Sequence, residues 1–341
     1  MKAVGYTQFE PGQSADVLVD LTLPDPVPEP RDLLVKVEAV AVNPRDSKAR
    51  RVDPASPDAP RILGWDCAGT VVAVGGEVTS YAPDDHVYYA GASNRQGCFS
   101  EFHTVDERIV GRKPESLDFP AAAALPLTSL TAYEMIFDRL GVPTGEPGSQ
   151  PRTNLLILGG AGGVPSMAIQ FGANLAGVNV IASASRPESE AWVRRMGAHQ
   201  VVNHRNNLVE EVEGLGLGQN PLHYAFSTHT STDAWAQLAT LLAPQGAIGI
   251  IDDPDPVDLK LLKMKSGSVH WESIFTRPVF GTPDLARQRE ILDHVADAVD
   301  AGLVTSPATE HLGTISAESI RQAQLAIEAD SVIGKLTLAG F

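Results

Sequence analysis

The stretch Leu155-Leu156-Ile157-Leu158-Gly159-Gly160-Ala161-Gly162-Gly163-Val164 decides the reading of this chain. A short continuous apolar run is the pattern of a strand buried on both faces of a parallel sheet. Glycines at its end let the backbone turn tightly and approach an anion closely. The helix that follows aims its free N–H groups at that anion. The pattern predicts the first strand-to-helix turn of a dinucleotide-binding domain, with Gly160, Ala161, Gly162, Gly163 and Val164 lining a pyrophosphate. Gly-x-Gly-x-x-Gly counted from Gly160 meets Gly162 but then Pro165, where the third glycine should stand. Proline suits the first turn of a helix, where an N–H has no intrahelical partner. Glycine turns also arise for steric reasons alone, so the flanking sequence has to separate a phosphate cradle from an ordinary turn.

The flanks favour the cradle. Residues 141–151 are rich in Gly and Pro and read as a surface connection. Strand patterns then fall at 155–158, 178–182, 200–203, 222–226 and 247–251, with helical patterns at 164–176, 188–196 and 232–242 between them. Pro244 and Gly246 stop the last helix. Strands alternating with helices of this length predict an α/β, doubly wound parallel sheet. Upstream, the pattern of 33–42 alternates apolar with polar and turns wholly apolar before Asn43-Pro44 breaks it. Residues 53–60 hold three prolines and read as a loop, and further strand-like runs occupy 70–74 and 86–89. Short strands between turn signals predict a compact β-rich N-terminal domain. Residues 121–133 have helical character. Downstream, helices are expected over 284–301 and 317–329, and a final strand over 333–338.

The 341 residues suffice for two ordinary domains, and 43% hydrophobic with 20% charged residues is the composition of a soluble globular protein. A net charge of −16 opposes nucleic acid and anionic membrane surfaces as partners, because both are bound through Lys and Arg. No apolar run reaches membrane-spanning length and the start lacks a signal-peptide core, so the expected location is the cytoplasm. Two cysteines, Cys67 and Cys98, exclude a disulfide framework and any all-cysteine metal site.

The second strand of such a fold ends beside the adenosine ribose. An acidic residue ~20 positions past the glycines would bond the 2′-hydroxyl of NAD, and an arginine would accept the 2′-phosphate of NADP. Here the strand runs on into Ala184-Ser185-Arg186-Pro187, with no carboxylate before Glu188. Ser185 offers a hydroxyl and Arg186 a charged fork, so NADPH is the expected cofactor. His204, after the third strand, is expected at the adenosine end. Ser227, closing the fourth strand, is expected on the nicotinamide side.

Several words of the sequence resemble the medium-chain dehydrogenase/reductase superfamily over nearly the whole chain. They are Ala41-Val42-Asn43-Pro44-x-Asp46, Gly64-Trp65-Asp66-x-Ala68-Gly69, Leu125-Pro126-Leu127-Thr128-Ser129-Leu130-Thr131-Ala132-Tyr133, the glycine turn and Ala182-Ser183-Ala184-Ser185-Arg186-Pro187-Glu188. Gly197-Ala198-His199, His270-Trp271-Glu272, Phe275-Thr276-Arg277, Asp300-Ala301-Gly302 and Ile333-Gly334-Lys335 complete the set. The resemblance is to the quinone oxidoreductase branch, in the zinc-type alcohol dehydrogenase-like subgroup. It implies a GroES-like β-rich catalytic domain over 1–126, a Rossmann NADPH-binding domain over 127–272, and a segment 273–341 that returns to the catalytic domain. A cleft between the domains would hold NADPH and substrate, Lys335 would contact the cofactor phosphates, and two copies would pair through the edge of the nucleotide-binding sheet.

Zinc-dependent relatives place a cysteine, a histidine and a second cysteine where this chain has Asn43, Trp65 and Leu127. None of these side chains is an ordinary zinc ligand, and the cysteine-rich structural lobe is missing, so no metal is expected. Without a Lewis acid, alcohol oxidation is poorly served, whereas reduction of a quinone or α,β-unsaturated carbonyl needs only donors for an enolate or phenolate oxygen. If the family placement of these loops holds, Asn43, Thr128 and Thr131 are candidate donors. Asp46 and Lys48 are further catalytic candidates, and Trp65 and Trp271 candidate apolar walls. A surface ion pair, a turn cap or plain packing is the alternative for each. The expectation is a metal-independent oxidoreductase passing a hydride from NADPH to a quinone or enone. The alternatives are a zinc-dependent alcohol dehydrogenase and a non-enzymatic NADPH-binding protein.

Overall fold

The computed structural model describes residues 1–217 and 221–341, which divide into two units. One comprises Met1–Leu130, Ile274–Gly302 and Ser306–Phe341; the other comprises Thr131–Ser273 and Leu303–Thr305.

The first unit is β-rich. Strands β1 (Lys2–Tyr6), β2 (Val19–Thr22) and β4 (Arg61–Ile62) form a small sheet in the order β2-β1-β4. A seven-stranded sheet contains β3 (Asp32–Ala41), β5 (Cys67–Val74), β6 (His86–Tyr89), β7 (Phe102–Asp106), β8 (Gly111–Arg112), β15 (Ala308–His311) and β16 (Lys335–Ala339). Its order is β15-β16-β3-β5-β6-β8, with β7 paired to β3. The alternation read in β3 is real: Leu33, Val35 and Val37 are buried while Lys36 and Glu38 pair on the opposite face at 2.9 Å. The apolar end of β3 is covered by β5 on one side and by β16 on the other. Asn43-Pro44 ends the strand as expected, but the polar stretch after it is a helix, α1 (Pro44–Arg50), with proline in the first turn. Helices α2 (Phe119–Ala123), α3 (Pro126–Tyr133), α8 (Thr276–Phe280), α9 (Arg287–Asp300) and α10 (Ala317–Glu328) follow, α3 running across the boundary between the units.

The second unit is the predicted parallel sheet. Strands β9 (Gln150–Leu158), β10 (Val178–Ser183), β11 (Gln200–Val202), β12 (Leu222–Ser227), β13 (Leu242–Ile250) and β14 (Ser268–Trp271) lie in the order β11-β10-β9-β12-β13-β14, every pair parallel. Renumbered from β9, this is the 3-2-1-4-5-6 order of a dinucleotide-binding sheet. Helices α4 (Gly163–Gln170), α5 (Pro187–Arg195), α6 (Leu208–Gly214) and α7 (Thr232–Leu241) connect the strands. The helix expected over 164–176 is α4 followed by a π-helical stretch, Phe171–Leu175. β9 starts earlier than its apolar run, because Gln150 already pairs with Val178. Pro244 and Gly246 do not stop α7: the chain enters β13 at Leu242, ahead of both. The polar helix α6 and the short edge strand β14 carried no clear periodicity.

Leu156, Leu158, Ile181, Val202, Ile248 and Ile250 of the strands bury one face against Leu208 and Val212 of α6 and Trp235, Leu238 and Ala239 of α7. Each such aliphatic side chain contributes roughly 1.5–3 kcal/mol by leaving water. That rigid layer fixes the strand ends from which the glycine turn springs. Among the described residues, no helix is long and apolar enough to cross a membrane.

Candidate active site and cofactor cradle

The glycine turn lies between β9 and α4, where the strand order reverses: β10 flanks β9 on one side and β12 on the other. Such reversals are where open α/β sheets bind ligands. Gly159 and Gly160 both have positive φ, +95° and +26°. A Cβ on Gly160 would lie 1.6 Å from the Ser183 carbonyl oxygen, and one on Gly159 would lie 1.9 Å from Thr228 Oγ1. These two positions therefore demand glycine on steric grounds. Gly162 has room, its nearest neighbour being Pro165 Cδ at 3.7 Å. It is the N-cap of α4, and Gly163 and Val164 follow as the first helical residues. Pro165 sits in the first helical turn as its lack of an N–H allows. Ala161 to Val164 are half-buried, so the backbone there presents itself to solvent rather than to packing.

Two residues that the motif did not flag hold the turn. Ser183 Oγ accepts the Gly159 N–H at 3.1 Å and lies 3.2 Å from His204 Nδ1. Thr228 Oγ1 donates to the Leu158 carbonyl at 3.1 Å. Both stand one strand over from β9, at positions that only the sheet order identifies. His204 is thus tied to the turn, with an exposed ring. Ser185 is half-buried and Arg186 exposed at the N-terminus of α5, and no carboxylate among the described residues pairs with Arg186. Ser227 closes β12, and its hydroxyl donates to His229 O at 3.0 Å and accepts from Thr230 at 2.9 Å, so it braces the loop that follows.

The first unit holds a buried polar cluster. β16 pairs antiparallel with β3, which brings Lys335 to the loop that ends β3. Lys335 Nζ donates to Asp66 Oδ2 at 2.8 Å, to Val42 O at 3.0 Å and to Asn43 Oδ1. Asp66 also accepts Asn43 Nδ2 at 2.8 Å and the Leu127 N–H at 2.7 Å. The Asn43 N–H donates to Asp46 Oδ2 at 2.6 Å. Lys335 is 4% exposed, Asn43 1%, and Asp46 and Asp66 0%. Burial pushes the Asp46 carboxyl up to about 7; the Asn43 N–H and Lys335 oppose this and Asp66 adds to it. Burial likewise raises Asp66, against the pull of Lys335 and its N–H donors. Asp46 Oδ1 and Trp65 Nε1 are buried and have no hydrogen-bond partner among the described residues.

This geometry corrects several expectations. The three donors of Lys335 are taken by oxygens inside the unit, which makes it an internal strut and not a free phosphate contact. Asn43 spends its amide N–H groups on Asp66 and, at 3.4 Å, on Ala41 O, so it is not a free substrate donor. Thr128 turns its hydroxyl back onto the Ala124 and Leu125 carbonyls, both at 3.0 Å, as helical threonines do. Thr131 is buried and Lys48 is exposed on α1. Trp271 is 55% exposed on β14. Trp65 is buried: Phe275 meets it edge-on at 6.1 Å, and the Arg45 guanidinium lies 5.1 Å from its ring centre.

A zinc ion does not fit this set. Asn43, Trp65 and Leu127, which the resemblance sets at the ligand positions, offer one amide oxygen, an indole and an aliphatic side chain. The amide oxygen already receives the Lys335 ammonium, which a dication would have to displace against its own charge. Among the described residues, no three His, Cys, Asp or Glu side chains converge in a way that could hold a metal ion. A dinucleotide does fit the turn: side-chain-free backbone, a helix N-terminus and an open guanidinium one strand over.

Comparison with known proteins agrees with this architecture. Residues 29–115 match the family model described as alcohol dehydrogenase GroES-like domain, and residues 163–278 match zinc-binding dehydrogenase. A zinc-type alcohol dehydrogenase-like protein of Staphylococcus aureus (strain COL) is 36% identical over 339 residues, 99% of either chain. A chloroplastic NADPH-dependent alkenal/one oxidoreductase of Arabidopsis thaliana is 33% identical over 54% of this chain and 49% of its own. A solved structure from Rhizobium etli CFN 42, provisionally named a zinc-dependent alcohol dehydrogenase, superimposes with a TM-score of 0.93. It is 46% identical, and the match covers 100% of this chain and 98% of that one.

Proposed function

Because the chain belongs to the zinc-type alcohol dehydrogenase-like proteins of the medium-chain dehydrogenase/reductase superfamily, we propose that it reduces an α,β-unsaturated carbonyl or a quinone with NADPH, without a metal. The observation that carries this reading is the Asp66–Lys335 pair, built into the three segments where a zinc-dependent relative has its ligands. A zinc-dependent alcohol dehydrogenase, the alternative that the family description suggests, needs three donors that Asn43, Trp65 and Leu127 do not supply. The relative named as an alkenal/one oxidoreductase supports the acceptor class.

NADPH bound at the glycine turn would supply the hydride. Ala161 to Val164 would bind the pyrophosphate through backbone N–H groups, Ser185 and Arg186 would hold the 2′-phosphate, and His204 would border the adenosine. On the acceptor, the new C–H bond at the β-carbon pushes the C=C electrons onto the carbonyl oxygen. The resulting enolate needs one proton. Asp46 holds that proton on Oδ1, which has no hydrogen-bond partner among the described residues, and regains it from solvent after each turnover. The Trp65 N–H, a further buried donor, stabilises the oxyanion.

The test is the pH profile of 3-penten-2-one reduction. Turnover should fall as pH rises through about 7, where Asp46 loses its proton. Asp46→Asn should cost about 100-fold in kcat, the usual weight of a general acid. Unchanged turnover in Asp46→Asn would remove Asp46 from the mechanism.

The same reading includes a homodimer formed through β14, the edge strand of the parallel sheet, which carries the exposed Trp271. Sedimentation of Trp271→Glu should show monomer where the parent chain shows dimer.

A further inference from the structure

We propose that Arg45 is a specificity-determining residue that binds a carboxylate, and that the substrate is therefore an α,β-unsaturated ketone carrying one. The substrate class rests on the chain being an enone reductase; the carboxylate site does not.

Arg45 fills the open position of the Asn43-Pro44-x-Asp46 word, directly before the proton donor. Its guanidinium carbon lies 5.1 Å from the Trp65 ring centre and 5.6 Å from that of Phe275. The two rings meet edge to face at 70°, so they form a corner that holds the cation in place. Trp65 is buried, whereas Arg45 and Phe275 are half-buried, so the corner opens outward. The same indole carries the N–H assigned to the oxyanion. A carboxylate on Arg45 and a ketone oxygen at that N–H can belong to one small molecule.

Arg45 is set apart by its missing counter-ion. Every other arginine of the first unit forms an ion pair with a carboxylate. Among the described residues, Arg45 has neither an ion-pair nor a hydrogen-bond partner, and its Nε is buried in that state. Taking a cation out of water without a counter-ion costs free energy, and an aliphatic side chain would pack against the rings without that cost. Arg61 provides the contrast. Its guanidinium carbon lies 5.8 Å from the same indole, yet its N–H groups are spent on Asp53 and on the Ser93 and Arg95 carbonyls. Held against two rings, Arg45 keeps a planar fork of N–H groups whose geometry matches a carboxylate. Asp46, next in sequence, does not repel such a substrate while it holds the proton that the reaction uses.

The experiment compares levulinate with its uncharged methyl ester by calorimetric titration of the full chain in the presence of NADP+. The parent should bind levulinate about 10-fold more tightly, the weight of a charged hydrogen bond. Arg45→Gln should bind the two alike. Arg45→Lys keeps the charge without the fork and should lose part of the preference. No preference in the parent, or an undiminished preference in Arg45→Gln, overturns the proposal. If Arg45→Gln does not fold, an undiminished preference in Arg45→Lys overturns it. Levulinate is what trans-4-oxo-2-pentenoate becomes on gaining a hydride and a proton, so turnover supplies a second arm. The parent should reduce this acid with a KM about 10-fold below that of its methyl ester, although the ester is the more electrophilic. A KM for the acid equal to or above that of the ester overturns the substrate class. Levulinate binding that depends on Arg45, with neither enone reduced, upholds the carboxylate site and sinks the reductase reading.

Discussion

Lys335 Nζ and Asp66 Oδ2 meet at 2.8 Å in a fully buried ion pair, although 269 residues separate them in sequence. Removing one partner of a buried pair strands the other charge, at a cost of about 3–5 kcal/mol. The cluster also ties β16, the end of β3 and the start of α3 to one carboxylate. Lys335→Met should therefore lower stability by about 3 kcal/mol in urea unfolding, and the double variant Asp66→Leu/Lys335→Met should recover part of that loss. Strict additivity would show that the two side chains do not act as a pair.

The raised carboxyl of Asp46 makes stability depend on pH with a definite sign. In the unfolded chain it titrates near 4, as ordinary aspartates do, whereas in the folded chain it is pushed up to about 7. The folded state therefore holds the extra proton between those values, and stability falls as pH rises through that window. Above about pH 7 the loss is complete. Relative to the parent, Asp46→Asn should gain roughly 3 kcal/mol on going from about pH 5 to about pH 8. Parallel stability curves for the two proteins would contradict a perturbed Asp46.

The glycine turn separates two demands, steric and functional. Gly160→Ala drives a methyl against the Ser183 carbonyl at a positive φ, so it should destabilise the chain by about 3 kcal/mol or prevent folding. Gly162→Ala has room, and its stability should stay within about 0.5 kcal/mol of the parent. Its methyl would still face the pyrophosphate, and NADPH binding, followed by fluorescence, should weaken about 10-fold. Normal binding in Gly162→Ala would place the phosphates elsewhere.

Arg186 is exposed, has no ion-pair partner among the described residues and stands next to Ser185, so its guanidinium is open to a 2′-phosphate. A charged hydrogen bond of about 1.5–3 kcal/mol corresponds to about 10- to 100-fold in affinity. Arg186→Ala should weaken NADPH binding by that factor and leave NADH within about twofold. Equal losses for both cofactors would mean that the arginine does not read the phosphate.

Legibility in the sequence followed the range of the interactions. β9, β10, β12 and the turn after β9 were readable, because buried parallel strands are continuous apolar runs and the turn's glycines are adjacent. α6 escaped because Leu208-Val209-Glu210-Glu211-Val212-Glu213-Gly214 is half acidic, and β14 because its four residues are half-exposed. Within the turn, the spacing template put the weight on Gly162, whereas the close contacts fall on Gly159 and Gly160 and depend on β10 and β12. The polar cluster was legible only in part. Asn43 and Asp46 were marked by their motif, but Asp66 was one word among many. The phosphate role of Lys335 came from the family resemblance alone, and nothing local shows that β16 pairs with β3 and brings its ammonium to Asp66. Side chains that seemed free to donate, Asn43 and Thr128, turned out to be spent on their own neighbours.

The most direct test of the central claim is stopped-flow oxidation of NADPH by chelator-treated protein, with 3-penten-2-one and 1,4-naphthoquinone as acceptors. The account predicts a single-turnover phase of the same amplitude and rate before and after chelation, with at least one acceptor. Tight NADPH binding without oxidation by either acceptor, or turnover that needs added zinc, would contradict it.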